Sequence, residues 1–567
     1  MFAFSRRVDD YAKGTKPFYV DSIAADFEEM MIAHRSMTAS RLILLTSLFL
    51  VIFDNLSFWN KISSIIGNSS SLEAGFVISN FIFLVALFNL VLSLFAFKYI
   101  LKPVLIIVLF CAAAVNYFTH SYGVIINSSM IRNVFETNPA EAVELMTMDL
   151  FYYLFLLGLI PSTLIYLVKV KYNPLFKEVS LRIFIMLVSL SAIALTVGLQ
   201  YKTFSLVYRN NREIRYFVNP TYPFYALYKY ISKLENPADR DLVEIGADAH
   251  RDNSHANKKK LVILVVGETA RAKNFELNNY HRDTNPKLKN ADIFNFSNTY
   301  SCGTDTAESI PCIFSRLGHD DINGSNPARY KNLLDILSRT GVDVLWRDNN
   351  SGCKGVCNRV KTENMTTLDI PGICNSHGCY DEVLLYNLQR YIDQTGDDAL
   401  IVLHQDGSHG PAYFKRYPES FRVFTPECTK AQVQDCRQQD IINSYDNTIL
   451  YTDYFLSKVI KLLRKNSTNH DTAMLYLSDH GESLGENGIY LHGLPYFLAP
   501  DEQIHIPMIL WLSEGFTNQL NINRSCLFDS TKRRFSHDNL FDTVLGMFKV
   551  KTSIYRKGYD IFSSCKN

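Results

Sequence analysis

Carboxylates and imidazoles recur in one arrangement along the second half of this 567-residue chain: each follows a short apolar run. LVILVV (261–266) leads into Gly267-Glu268-Thr269, and ALIVLH (399–404) into a loop that carries His409. AMLYL (473–477) leads into Ser478-Asp479-His480-Gly481, and Tyr490-Leu491-His492-Gly493 follows soon after. Continuous apolar runs of this length read as strands buried on both faces. In a parallel sheet ligands bind beyond the carboxyl ends of such strands, which is where these side chains fall. Glu, Asp and His together offer oxygen and nitrogen donors, a set that suits zinc. Asp479 and His480 are adjacent at a Gly-containing bend, so both can turn into one site.

A nucleophile is available in Cys302-Gly-Thr-Asp-Thr306-Ala-Glu-Ser309-Ile-Pro-Cys312. Thr306 stands at a loop-to-helix junction, where free N–H groups attract phosphate oxygens. A metal ion beside it can depress the hydroxyl pKa. The same stretch fits an ordinary helix cap made by Thr306, and the residues alone leave the two readings level. Cysteine usage speaks for the compartment. Of 11 Cys, Cys111 stands alone in an apolar stretch, and the other ten follow residue 300. An even number there suits disulfides in an oxidising environment. The spacings suggest Cys302–Cys312, Cys353–Cys357, Cys374–Cys379 and Cys428–Cys436, leaving Cys526 with Cys565. A structural zinc on Cys353 and Cys357 is the rival reading.

The elements that must position these residues are β-rich runs at 261–266, 342–346, 399–404, 473–477 and 506–511, with helical stretches such as 329–338 and 440–465 between them. That alternation predicts a mainly parallel sheet with helices on both faces. Ahead of it lie five apolar stretches at about 42–58, 75–97, 103–120, 150–168 and 183–200. A bilayer core needs ~20 apolar residues per helix. The window 42–200 holds only 15 charged residues, so these stretches read as membrane spans. Asp54, near the end of the first, is tolerable close to an interface. Basic residues set the orientation. Arg6, Arg7, Lys13, Lys16, Arg35 and Arg41 precede the first span, Lys98 and Lys102 follow the second, and Lys169, Lys171, Lys177 and Arg182 follow the fourth. The alternate loops hold Lys61, and Arg132 among Glu136, Glu141, Glu144 and Asp149. The N-terminus is therefore expected inside and everything after residue 200 outside. Residues 201–232 interleave ten Tyr and Phe with Arg209, Arg212 and Arg215, a composition that favours the headgroup zone. Residues 234–258 read as a polar tether. The expected organisation is a cytoplasmic segment 1–41, a five-helix membrane domain 42–200, a linker 201–258 and an exported domain 259–567.

GETARAKNFELNNY, SCGTDTAESIPCIFS, WRDNNSGCKGVC, GSHGPAYFKRYP, INSYDNT and YLSDHGESLGENGIYLHGLPY together resemble the lipid A phosphoethanolamine transferases. That family includes the mobile colistin-resistance transferases and belongs to the alkaline phosphatase/sulfatase superfamily. The resemblance runs over nearly the whole chain. It implies a five-helix transmembrane domain joined to a sulfatase-like α/β periplasmic domain in a Gram-negative inner membrane. It implies one catalytic Zn2+ held by Glu268, Thr306, Asp479 and His480, with Thr306 also the nucleophile. His409 and His492 would contact the phosphate or hold a second zinc, and Asn350, Ser351 and Lys354 fall where the family binds the headgroup. His404 matches a motif position without being a family ligand and reads as packing or support. The implied reaction passes phosphoethanolamine from phosphatidylethanolamine to Thr306 and then to a phosphate of lipid A. It lowers surface charge and with it the binding of polymyxin and other cationic peptides. The partners implied are the two lipids and the membrane, for a protein acting as a monomer.

Family members carry small or apolar residues beside the nucleophile, where this chain has Asp305 and Glu308. Gln405-Asp406 before GSHGP adds another acid, and the N-terminal segment is longer than usual. Carboxylates near an anionic substrate repel it unless they are paired or turned away. Other readings stay open. A core sugar or glycan could be the acceptor, or the enzyme could be a sulfatase-fold phosphodiesterase or a glycerolphosphate polymerase. A true sulfatase needs C/S-x-P-x-R, which Cys302-Gly-Thr-Asp and Cys312-Ile-Phe-Ser do not supply. An inactive membrane scaffold would predict losses in the ligand set, yet Glu268, Thr306, Asp479 and His480 are all present. With 57 Lys+Arg against 56 Asp+Glu, the chain is no nucleic-acid binder, and it cannot grip an anionic lipid by net charge. Recognition must be local.

Overall fold

The computed structural model describes residues 36–66, 73–136, 139–235, 242–251, 258–322 and 327–566. Arg6, Arg7, Lys13, Lys16 and Arg35 lie outside them, as do residues 236–241 and 252–257 of the expected tether and the side chain of Glu141. The chain divides into two units, residues 1–113 with 153–211, and residues 114–152 with 212–567.

The first unit is helical because its sequence is almost uniformly apolar. Among the described residues four helices are long and apolar enough to cross a membrane: Ala74–Ser93, Leu101–Tyr122, Met148–Leu167 and Leu175–Leu199. The stretch expected as one span at 42–58 is instead a pair, Ala39–Phe53 and Leu56–Ile66, bent by 56°. Among the described residues the helices fit to span a membrane thus number four, or five if the bent pair is one span. The bend falls at Asp54-Asn55, where the Asn55 side-chain amide donates to the Leu50 carbonyl at 2.9 Å. The same carbonyl accepts the Asp54 N–H at 3.0 Å, so backbone and side chain together close the last turn of the helix. Helix Tyr201–Asn210 joins this unit: Phe204 is buried, and Tyr208 donates to Asn80 at 2.5 Å. The expected linker therefore divides near residue 211. Among its aromatic residues Tyr201, Phe224, Tyr225 and Tyr228 are exposed.

The second unit is built on a seven-stranded sheet. In chain order its strands are β1 (Lys259–Gly267), β2 (Ile293–Asn295), β3 (Asp343–Asp348), β4 (Lys361–Asn364), β5 (Ala399–His404), β6 (His470–Ser478) and β7 (Met508–Leu512). Their spatial order is β2-β7-β6-β1-β5-β3-β4. β6, β1, β5, β3 and β4 run parallel, while β7 pairs antiparallel with β6 and with β2. Residues 260–267 of β1 are all buried, as expected when helices cover both faces. One face carries Val262, Leu264, Val266, Leu400, Val402, Leu475 and Leu477 into a core shared with Leu540, Phe541, Val544 and Leu545.

Four helices matter for the site: α1 (Ser128–Glu136), α2 (Pro139–Leu145), α3 (Thr306–Ile313) and α4 (Gln438–Asn466). α1 and α2 lie in sequence between two apolar helices yet fold with the sheet unit. Helix Thr221–Glu235 packs on α1, with the Phe135 and Tyr230 rings stacked at 5.5 Å. The ten cysteines form Cys302–Cys312, Cys353–Cys357, Cys374–Cys379, Cys428–Cys436 and Cys526–Cys565. Cys353 and Cys357 are thus disulfide partners, which removes the thiolates a structural zinc would need.

Candidate active site

The register of the parallel strands brings the polar residues together. Ser478 of β6 pairs with Gly267 of β1, so Asp479 and Glu268 leave the sheet side by side. His404 ends β5 opposite Val266 and Asp348. The turn after β1 is tight: Thr269 has φ 53°, a left-handed conformation that β-branched residues avoid. It is held by neighbours, since the Thr269 N–H donates to Asp479 Oδ1 at 3.2 Å and its carbonyl accepts the Tyr445 hydroxyl at 2.6 Å. Gly407, at φ +57°, packs on the other side, where an added Cβ would lie 2.7 Å from the Glu268 carbonyl oxygen.

Glu268, Asp479 and His480 are fully buried, and one donor atom from each lies within 4.8 Å of the others. His480 Nε2 is 3.4 Å from Glu268 Oε1 and 3.4 Å from Asp479 Oδ2. Its Nδ1 lies 2.9 Å from the Gly481 carbonyl, a contact that requires Nδ1–H and leaves the Nε2 lone pair for the site. Thr306, the first residue of α3, completes the group. Its Oγ1 lies 3.2 and 3.3 Å from the two Glu268 carboxylate oxygens and 3.4 Å from His480 Nε2. The cap of α3 is Asp305, whose carboxylate accepts the Glu308 N–H at 3.0 Å, so Thr306 is not spent on capping.

The electrostatics of this cluster call for a cation. Burial would discharge the His480 imidazole, but the Asp479 and Glu268 carboxylates outweigh it and push its pKa up to about 10. Burial, with the Glu268 charge beside it, pushes the Asp479 carboxyl up to about 7. Burial would also raise Glu268, yet the hydrogen bond and charge of His480, with His409 and His492, hold it below the ordinary carboxylate range. Asp479 Oδ2 has no hydrogen-bond partner although it is buried. An orphaned carboxylate oxygen among converging N and O donors is what a metal ion would satisfy. Among the described residues, Glu268, Asp479 and His480 form the one group of this kind.

The surrounding residues hold these donors. Asn350 donates its side-chain amide to Glu268 Oε2 and to the Gln405 carbonyl, both at 2.8 Å. Lys354, at φ 49°, is half-buried with its side chain covered, and donates to the Ser351 hydroxyl at 3.0 Å and carbonyl at 3.2 Å. The His492 and His480 ring centres are 4.4 Å apart, and those of His409 and His492 5.6 Å. Glu482, fully buried, accepts from His492 Nδ1 at 2.7 Å and from the Tyr413 hydroxyl at 2.7 Å. His404 is buried against Trp346 and bonds through Nδ1 to Asp348 at 3.0 Å. Burial would raise Asp348, but the His404 imidazole holds its carboxyl down at about 2. Asp348 also accepts the backbone N–H groups of Asn350 and Gly352, which shapes the loop that carries Asn350, Ser351 and Lys354.

The unusual acids are accounted for. Asp305 accepts the Ser129 hydroxyl at 2.6 Å besides capping α3, and Glu308 is exposed. Asp406 pairs with Arg416 at 3.0 Å, and Gln405 donates to the buried Asp381 at 3.1 Å. Several supports carry no periodic signal in the sequence: Glu482, Tyr413, Tyr445, Asp381 and His537. His537 is buried; its Nδ1 accepts the Cys302 N–H at 3.1 Å and its Nε2 donates to the Ser478 carbonyl at 2.8 Å. It therefore ties the Thr306 loop to the strand that delivers Asp479.

A buried cluster of oxygen and nitrogen donors thus stands at the strand ends, with a hydroxyl at a helix start beside it. The sulfatase family profile matches residues 260–550, and that of phosphoethanolamine transferase EptA/EptB matches residues 84–234. The chain is 40% identical to phosphoethanolamine transferase EptA of Escherichia coli K12, over 92% of this chain and 96% of that protein. This chain is an EptA-type phosphoethanolamine transferase. Phosphatidylethanolamine transferase Mcr-1 of Escherichia coli is 38% identical over 91% of this chain and 96% of its own. The integral membrane lipooligosaccharide phosphoethanolamine transferase A of Neisseria meningitidis superposes with TM-score 0.90 at 35% identity, covering 94% of this chain and all of that one. An EptA-type enzyme is thus an integral membrane protein with a sulfatase-like domain, and Thr306, Glu268, Asp479 and His480 lie within the residues that the sulfatase profile matches.

Proposed function

We propose that this transferase moves phosphoethanolamine from phosphatidylethanolamine to a phosphate of lipid A through a covalent intermediate on Thr306. The observation that carries the reading is the Thr306 hydroxyl within 3.2–3.4 Å of both Glu268 and His480 at the start of α3. Four donors round a tetrahedral zinc, with bonds of ~2.05 Å, stand ~3.3 Å from one another. The separations Thr306–Glu268, Thr306–His480, His480–Glu268 and His480–Asp479, at 3.2–3.4 Å, fit that edge length, which supports one Zn2+ held by these four residues. When bound, zinc supplies Lewis acidity that lowers the hydroxyl pKa and offsets charge at phosphorus.

The residues then have distinct tasks. Thr306 Oγ1 attacks phosphorus once its proton is lost to solvent. The N-terminal N–H groups of α3 face the phosphoryl oxygens. The phosphorus–oxygen bond to diacylglycerol breaks, and the leaving oxygen takes a proton. His409 and His492 take that role and hold the phosphate, with His492 kept in one tautomer by Glu482. In the second step a lipid A phosphate oxygen attacks the same phosphorus and Thr306 Oγ1 leaves with its proton restored. Ser351 and Lys354 hold the headgroup, while Asn350 also orients Glu268. Residues 42–200 serve as the inner-membrane anchor, 201–258 as the interfacial linker and 259–567 as the periplasmic catalytic domain. The name of the Neisseria relative supports an acceptor in the lipopolysaccharide class, and two lipid substrates give the membrane helices a purpose.

Mass spectrometry of lipid A from cells producing the protein tests this. Phosphoethanolamine added by the wild type but not by Thr306→Ala is the expected result. An unmodified lipid A with a modified core sugar would move the acceptor. Free headgroup released with no modified lipid would make the protein a phosphodiesterase.

A further inference from the structure

Thr306 lies between two residues that α1 holds. We propose that Ser129 and Arg132 are positioning residues for the Thr306 hydroxyl. This rests on Thr306 being the nucleophile.

Ser129 and Arg132 stand three apart, one turn along the same face of α1. The Ser129 hydroxyl donates to Asp305 Oδ2 at 2.6 Å, while Asp305 Oδ1 accepts the Glu308 N–H at 3.0 Å. Both oxygens of the cap are thereby engaged, one by the helix it caps and one by α1. Arg132 Nη1 donates to the Ala307 carbonyl at 2.9 Å, and its Nε to Glu136 at 2.8 Å, which aims the guanidinium. Residues 305 and 307 are thus fixed from outside their own helix, and Thr306 is between them. Ser129 is 7% exposed and Asp305 1%, so water does not compete for the short bond. α1 also approaches the far side of the site: an added Cβ on Gly493, next to His492, would lie 2.7 Å from Met130 Cε. The Gly493 N–H in turn donates to the Thr304 carbonyl at 2.9 Å. The arrangement also answers the charge problem at Asp305. Its two carboxylate oxygens are taken up by the Ser129 hydroxyl and the Glu308 N–H. Loss of the Ser129 hydroxyl would leave a buried charge one residue from the nucleophile with one partner fewer.

The purified full-length enzyme, with phosphatidylethanolamine carrying a fluorescent acyl chain in mixed micelles, gives the readout: single-turnover release of labelled diacylglycerol. Ser129→Ala and Arg132→Gln are expected to slow release by ~10–100-fold, as small misplacements of a reacting group do. Donor KM and melting temperature should stay near the wild-type values. Ser129→Thr, which keeps the hydroxyl, should recover most of the rate. Ser129→Ala should add little to Asp305→Asn, because both act through one bond. Wild-type rates in both single variants, a loss that tracks a lower melting temperature, or independent effects of Ser129→Ala and Asp305→Asn would each overturn the proposal. Thr306→Ala separates the two levels: release by that variant would remove the nucleophile reading itself, whatever α1 does.

Discussion

The side chain that decides most is Asn350. Headgroup binding was its expected task, yet its amide reaches Glu268 Oε2 at 2.8 Å. Partners of metal ligands typically contribute 10–100-fold to metal affinity. Asn350→Ala is therefore expected to weaken zinc binding ~10–100-fold in a chelator competition. Unchanged zinc affinity with a raised donor KM would return Asn350 to the headgroup alone. His537 makes a second residue-scale prediction. Burial pulls its imidazole from 6.5 down to about 3, and its Nδ1 must stay unprotonated to accept the Cys302 N–H. A folded pKa below the unfolded one means the unfolded chain binds the extra proton between those values. The contribution is thus complete above pH 6.5 and lost as the pH falls toward 3. The limiting slope is ~1.4 kcal/mol per pH unit. Denaturant unfolding of the detergent-solubilised protein should show this acid loss, and His537→Gln should flatten it. Equal slopes in the two proteins would contradict it. Neither contact could be read from the sequence: Asn350 is 82 positions from Glu268 and His537 235 from Cys302, so no local periodicity connects them.

At the scale of elements, legibility followed burial. The runs 261–266, 399–404 and 473–477 were readable as strands because both faces are covered, and an uninterrupted apolar run has few other uses. β2 and β4 gave no such signal. They are short strands at the sheet edges, and KTEN of β4 is mostly exposed. The antiparallel β7 was recognisable as a strand but not in direction, since composition carries no polarity. In the membrane unit, the break at Asp54-Asn55 makes the expected span a bent pair. α3 is bracketed by Cys302–Cys312 across ten positions. Replacing both cysteines by Ser is expected to lower unfolding free energy by ~2–3 kcal/mol. The same change should sensitise activity to heat before zinc is lost. A pair variant as stable as the wild type would show that His537 and Asp305 hold the loop unaided.

For the whole molecule, the near-equal charge totals and a mean hydropathy of −0.01 are averages over two unlike parts. One is an apolar helical unit and the other a disulfide-bonded sheet unit that converges its charges on a buried site. Ten paired cysteines and the basic loops of the membrane half both favour export of residues 259–567. A reporter active only outside the cytoplasm, fused after Asn567, is expected to be active; silence from a stable fusion would reverse the orientation. The central claim concerns one bond, between phosphorus and Thr306. It is tested most directly by quenching the enzyme in acid during turnover of phosphatidylethanolamine and mapping its peptides by mass spectrometry. A phosphoethanolamine adduct on Thr306 that disappears when lipid A is added is the expected result. An adduct on another residue, or turnover by Thr306→Ala, would contradict it.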